Sequence, residues 1–135
     1  MAVPVEVIAD SSFLLAQAEL RFDIDRELTR VFGRKVRLVI PQPVLDEVQR
    51  IAAQGSPNAK RKAEFVLERL TNYRTLDSSL VLNEPVDDMI LRLSKNKRLP
   101  VATNDKSLRR KLRDINIPVV YVREKSHLSL EGGFF

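Results

Sequence analysis

The chain has 135 residues, enough for one domain to bury a core without disulfide or metal staples. Its 23 Lys and Arg against 18 Asp and Glu leave a formal charge of +5, a balance that favours a polyanionic partner. The absence of cysteine excludes disulfide frameworks, thiolate zinc sites and cysteine nucleophiles, and the four glycines fall where neither a dinucleotide fingerprint nor a phosphate-binding loop can be written.

The first apolar run, Val3 to Ala9, reads as a strand. It is too short to span a bilayer, is interrupted by Glu6 and lacks the basic flank of a signal peptide, so no membrane partner and a cytoplasmic setting are expected. Asp10 to Glu19 and Ile24 to Phe32 carry helical patterns, the second followed by Gly33 as a stop. Val36 to Ile40 is a second strand. Pro43 and Pro57 stand as first helical residues before Val44 to Ala53 and Asn58 to Tyr73. Arg74 to Glu84 is open between an edge strand and a packed loop built on Leu76, Leu80 and Leu82. Pro85 opens a helix to about Lys97. Val101 to Thr103 is a strand, Lys106 to Ile115 a helix, and Val119 to Val122 a last strand introduced by Pro118. Strands separated by helices predict an α/β fold, a parallel sheet with helices on both faces, formed by one domain over residues 1–135.

His127 is the only histidine, so a Ser-His-carboxylate triad would rest on one residue near the C-terminus; a solvated side chain is the expectation. The acids are more informative. In open parallel sheets ligands bind beyond the carboxyl ends of the strands, where Asp10 and Asp105 fall. Each alone is also explained as a helix cap. Glu47 lies beside the apolar stripe Val44, Val48, Ile51 and Ala52, which leaves it as a site residue or as half of a buried ion pair. Asp87 and Asp88 fall in the first turn of the helix after Pro85, where the dipole favours acids; Asp87 shares a face with Ile90 and Leu91, whereas Asp88 points away. Together these oxygen donors, with no cysteine or histidine beside them, select a hard cation, Mg²⁺ or Mn²⁺, able to activate water and steady the oxyanions of phosphodiester displacement.

At these residues the chain resembles the PIN-domain nucleases. The carriers are Asp10-Ser11-Ser12 after the first strand, Pro41-Gln42-Pro43-Val44-Leu45-Asp46-Glu47 on the helix after the second, Asp87-Asp88-Met89-Ile90-Leu91 at a helix start, and the Thr103-Asn104-Asp105 turn. The run Val101 to Arg113 with Ile117 to Tyr121 is similar to a narrower subgroup, archaeal stand-alone PIN proteins related to the eukaryotic nuclease of the small-subunit processome, some of them labelled VapC-like toxins. The resemblance implies a three-layer α/β/α sandwich with a central parallel sheet of four or five strands and divalent-metal-dependent cleavage of RNA. It implies catalytic roles for Asp10, Glu47, Asp87 and Asp105, metal ligation by Asp10, Asp87, Asp88 and Asp105, and RNA contacts from Ser12, Thr103 and Asn104 beside them. The doubled acid leaves the third ligand open between Asp87 and Asp88.

On the helix after Asp105, Lys106, Arg109, Arg110 and Arg113 form one face, with Leu108, Leu112 and Ile115 opposite; this basic stripe is expected to hold an RNA backbone. Lys60-Arg61-Lys62 and Arg34, Lys35 and Arg37 are further basic clusters. The expected activity is an endoribonuclease acting in ribosomal RNA processing. The alternatives are a toxin ribonuclease held by an antitoxin and an inactive RNA-binding assembly factor. RNA is the expected partner, with an antitoxin, ribosome-assembly proteins or a second copy of the chain as further candidates.

Overall fold

A computed structural model describes residues 3–78 and 81–133. Strand β1 (Val5–Ala9) leads into α1 (Ser11–Ala16), which tightens into a 3₁₀ turn at Gln17–Glu19 before α2 (Ile24–Phe32). Strand β2 (Val36–Pro41) runs directly into α3 (Gln42–Gln54), followed by α4 (Pro57–Leu67), a 3₁₀ turn (Leu70–Asn72) and the short strand β3 (Arg74–Leu76). Helix α5 (Val86–Lys97), β4 (Val101–Ala102), α6 (Lys106–Asp114), β5 (Val119–Arg123) and β6 (His127–Glu131) complete the described elements.

The helix limits follow from local chemistry. Asp23 caps α2 by accepting from the backbone N–H of Asp25 and Arg26, and Gly33 ends it in the left-handed region at φ 72°. Ser56 caps α4 through the Ala59 amide, with Pro57 as its first residue. Pro85 is the N-cap of α5 and not its first helical residue, a shift of one position. The helix expected to run to Tyr73 stops at Leu67, and the chain passes through the 3₁₀ turn at Leu70–Asn72 to enter β3.

The sheet order is β3-β2-β1-β4-β5-β6, parallel except for β6, which runs antiparallel to β5. Connections from β1 to β2 to β3 step one way across the sheet and those from β3 through β4 to β5 step back. Right-handed crossovers therefore place their helices on opposite faces, giving three α/β/α layers. Helices α1, α3 and α4 pack together, while α5 packs on α6 and α6 on β5. Val7, Ile8 and Ala9 of β1 and Val101 and Ala102 of β4 are fully buried, as central strands covered on both faces must be.

Two differences from the sequence expectation have physical causes. The open stretch after Tyr73 divides: Arg74–Leu76 is an edge strand, Leu82 is exposed in the loop that follows, and Leu80 lies outside the described residues. The sheet has six strands because the chain folds back after β5 on a turn in which Glu124 and Lys125 adopt φ 54° and 58°. Such turns are ordinarily announced by Asn-Gly or Asp-Gly, and neither pair is present. The outer edge of β6 is covered by α2: Glu27 accepts from the Leu128 amide at 3.0 Å and Arg30 donates to the Leu128 carbonyl at 2.9 Å. These contacts satisfy polar groups that an open sheet edge would leave for another chain.

Candidate active site

The sheet register builds the site. Ala9 pairs with Ala102 on the neighbouring central strand, so the residues just beyond them, Asp10 and Thr103, emerge side by side at the carboxyl edge. Thr103 Oγ1 donates to Asp10 Oδ2 at 2.7 Å, and Ser12 Oγ donates to the same oxygen at 2.8 Å. Each hydroxyl in turn accepts a backbone proton: Asn104 N–H donates to Ser12 at 3.1 Å and Asp105 N–H to Thr103 at 3.1 Å. Two amides thus reach one carboxylate oxygen through two hydroxyls, an arrangement that offsets the cost of taking the charge of a nearly buried aspartate out of water. Asp10 stands at the N-cap of α1 but makes no side-chain cap there. Its Oδ1 has no hydrogen bond and is not a buried orphan, so it opens on the cleft that Asp10 lines.

The cleft has a volume of about 910 Å³. Around it stand Asp10, Glu47 from α3, Asp87 and Asp88 from α5, and Asp105 from the start of α6. Glu47 is half-buried and makes no ion pair among the described residues, so no arginine neutralises it. Asp87 is half-buried and Asp88 exposed. Burial, and then the charges of Asp10 and Asp105, push the Asp87 carboxyl above the ordinary aspartate value, with Lys111 acting against them. The helix dipole would stabilise an acid in this first turn, but desolvation and like charge win. Asp105 has two tasks: its Oδ1 caps α6 by accepting from the Leu108 amide at 3.0 Å, and it lines the cleft.

Ser78 and Glu84, before α5, are tied to that helix. Arg92, on α5, makes a two-point ion pair with Glu84 at 2.8 and 3.0 Å and donates to the Ser78 carbonyl at 2.7 Å. These contacts join the segment before Pro85 to the helix carrying Asp87, so the aspartate's position is set by its own helix.

The residues expected to touch RNA separate in the fold. Thr103 is a correction: its side chain is fully buried and its hydroxyl engaged, so it supports the acids from beneath. Ser12 lines the cleft, although its hydroxyl is already committed to Asp10. Asn104 points toward β5, its Oδ1 accepting from the Val122 amide at 2.9 Å. The basic stripe also divides. Arg109 stacks on the Tyr121 ring, 3.6 Å from its centroid, and pairs with Glu131 at 2.9 Å. Arg113 donates to the Ile117 carbonyl and lies against Gly132, where a Cβ would collide with its guanidinium. Both are therefore fastened to the β5–β6 side, whereas Lys106 and Arg110 are exposed and have no hydrogen bond or ion pair among the described residues. Ile115, expected on the apolar face, is exposed at the end of α6. Two cations that the sequence had not singled out, Arg50 of α3 and Lys111 of α6, line the cleft.

The candidate ligands around the cleft are all oxygens, from carboxylates and serine hydroxyls, which fits Mg²⁺ or Mn²⁺ over zinc, and a cation there would relieve the crowding of negative charge around Asp87. Among the described residues no three such side chains already stand close enough to enclose an ion. No helix of the described chain is long and apolar enough to cross a membrane.

Comparison with known proteins agrees with this architecture. Residues 7–125 match the family model described as a PIN-like domain. Ribonuclease VapC4 of Methanocaldococcus jannaschii is 31% identical over 130 residues, a span of 94% of this chain and 97% of that protein. The solved structure of the PIN domain endonuclease Utp24 superposes with a TM-score of 0.78 at 23% identity, covering 95% of this chain and 92% of that one. A domain of a functionally unknown protein from Methanocaldococcus jannaschii superposes with a TM-score of 0.60 at 16% identity, covering 97% and 99%. Both superpositions bear on the fold alone. The family match over most of the chain and the full-length relative together establish that this chain belongs to the PIN-like domain family.

Proposed function

We propose that the protein is a divalent-metal-dependent endoribonuclease that hydrolyses RNA phosphodiester bonds at the carboxylate cleft. The observation that carries this is the placement of Asp87 near Asp10 and Asp105, with its carboxyl pushed up by burial and by those two charges. Carboxyls raised by burial and like charge in a cleft cluster at functional sites. In this reading Asp10, Asp87 and Asp105 hold Mg²⁺ or Mn²⁺, Asp88 reaches the cluster from its exposed side, and Glu47 accepts the proton of the attacking water and orients it. The metal, when bound, supplies a polarised water and charge neutralisation at the scissile phosphate. Ser12 and Thr103 hold Asp10 in one orientation, so its open oxygen is aimed before any ligand arrives. Lys106 and Arg110 remain as exposed contacts for the RNA backbone beside α6, and Arg109 and Arg113 can take part only from the β5–β6 side.

The proposed task is processing of ribosomal precursor RNA, as the sequence resemblance implies. The relative named Ribonuclease VapC4 favours a second reading, a toxin ribonuclease silenced by an antitoxin. Incubating the purified protein with labelled single-stranded and structured RNA, in Mg²⁺, Mn²⁺ or chelator, tests the activity; cleavage in the metals and none in chelator is expected. Induced expression in cells separates the two tasks. Growth arrest relieved by Asp10→Asn supports the toxin, and accumulation of uncut ribosomal precursor on depletion supports processing.

A further inference from the structure

We infer that Arg50 and Lys111 form a phosphate clamp, one cation on each wall of the acidic cleft, and that RNA crosses the carboxylates from α3 to α6 between them. This rests on the proposed ribonuclease activity and adds the residues that would seat its substrate.

Arg50 projects from α3 one turn beyond Glu47, and both line the cleft. Its natural helical partner is Asp46, four residues earlier, but Asp46 accepts from Gln42 Nε2 at 2.8 Å and no ion pair to Arg50 forms. On the other wall Lys111 lines the same cleft, exposed, with no hydrogen bond or ion pair to the acids around it. Two cations in a cleft crowded with carboxylates would be expected to collapse onto them. Neither does, and both stay available to an anion entering the cleft.

The geometry of α6 makes Lys111 the basic residue on that helix that an RNA phosphate over the acids would meet. Successive residues turn by about 100°, so with Leu108 and Leu112 facing the core, Arg109 and Arg113 lie on one flank and Lys111 on the other, about 160–200° away. The first flank faces Tyr121, Glu131 and Ile117. The second carries Lys111, which lines the cleft together with Asp87 and Asp105 and acts electrostatically on Asp87. The acids then take a cation and the two walls take phosphate, so charge of each sign inside the cleft has its counterpart in the bound substrate.

The test compares Arg50→Gln, Lys111→Gln and the double variant with their parent for binding to a short 5′-labelled single-stranded RNA. The Asp10→Asn background keeps the RNA intact during binding, and salt is varied. Cleavage is followed in the Asp10 background and Mn²⁺ affinity is measured by paramagnetic resonance. Each single change should weaken RNA binding about fivefold or more and reduce the slope of log affinity against log salt by about one. KM should rise more than kcat falls, Mn²⁺ affinity should not weaken, and Arg50→Lys and Lys111→Arg should restore most of the binding. Unchanged RNA affinity and salt slope in the double variant overturns the clamp. So does tighter Mn²⁺ binding by Lys111→Gln with RNA binding unaltered, which would make the lysine only a counter-charge for the acids. Cleavage by the parent in the same assay separates failure of the clamp from failure of the ribonuclease reading; a parent that neither binds nor cuts RNA overturns both.

Discussion

Thr103 Oγ1 donates to Asp10 Oδ2 at 2.7 Å from a fully buried position, and the same hydroxyl accepts the Asp105 amide. One side chain therefore links the Asp10 carboxylate to the backbone of Asp105. Thr103→Val keeps the shape and removes both hydrogen bonds, leaving the Asp105 amide without an acceptor and Asp10 Oδ2 with the Ser12 hydroxyl as its remaining donor. A loss of about 1–3 kcal/mol in stability by urea unfolding is expected, together with a fall in single-turnover cleavage of tenfold or more. Thr103→Ser should keep most of both, since it retains the hydroxyl.

Asp87→Asn is expected to lower metal-dependent cleavage well over tenfold while leaving metal-free thermal stability unchanged or raised. The sign follows from the raised carboxyl. An acid whose pKa is higher folded than unfolded destabilises the fold when ionised, so the penalty is fully present above the folded value and fades as pH falls toward the ordinary aspartate range. The melting advantage of Asp87→Asn over the parent should therefore be largest near neutral pH and vanish in acid. Asp88→Asn, at an exposed position, should be milder in activity; a larger loss from it would exchange the roles of the two aspartates.

Glu27 behaves in the opposite sense. The Arg30 guanidinium, and then the Leu128 amide, hold its carboxyl down at about 2. A depressed pKa contributes stability that is present above the unfolded carboxylate value and is lost as pH falls toward 2. Glu27→Gln should thus lower the melting temperature near neutral pH by roughly several degrees, and that difference should close progressively below pH 4.5. Because the pair covers the β6 edge, the variant should also show more self-association by light scattering. Cleavage should not change, as Glu27 is remote from the acids.

Arg109→Gln is expected to cost about 1 kcal/mol or more by removing the Tyr121 stack and the Glu131 pair. Changing Lys106 and Arg110 to Gln should leave the melting temperature within about a degree, since neither has a partner to lose. Equal melting temperatures for the two sets would contradict the division of the stripe.

The sheet and its acids were legible because strong local signals carry them. Apolar runs separated by prolines and periodic helices expose the strands of a parallel sheet along the chain, and acids just past such runs emerge at one edge. Strand β6 was not, because its turn is made by Glu124 and Lys125 in the left-handed region, residues that carry no turn signal. Sequence also defined one basic face of α6 but passed over Lys111, which lines the cleft. Charge density pointed to Arg109 and Arg113, while tertiary packing fastens those two on the β5–β6 side and leaves Lys111 exposed on the cleft wall. Asp105 shows why capping and function do not compete as explanations: one oxygen caps α6 while the residue still lines the cleft.

The central claim is that the carboxylates at the sheet edge form one cation site and that RNA is cut there. The most direct measurement follows Mn²⁺ binding and cleavage of labelled RNA in the same samples of parent and Asp10→Asn protein. The parent should bind Mn²⁺ and cleave, chelator should abolish cleavage, and Asp10→Asn, still folded by circular dichroism, should lose most of both. Cleavage that persists in chelator, or that continues at the parental rate in Asp10→Asn, would contradict the central claim.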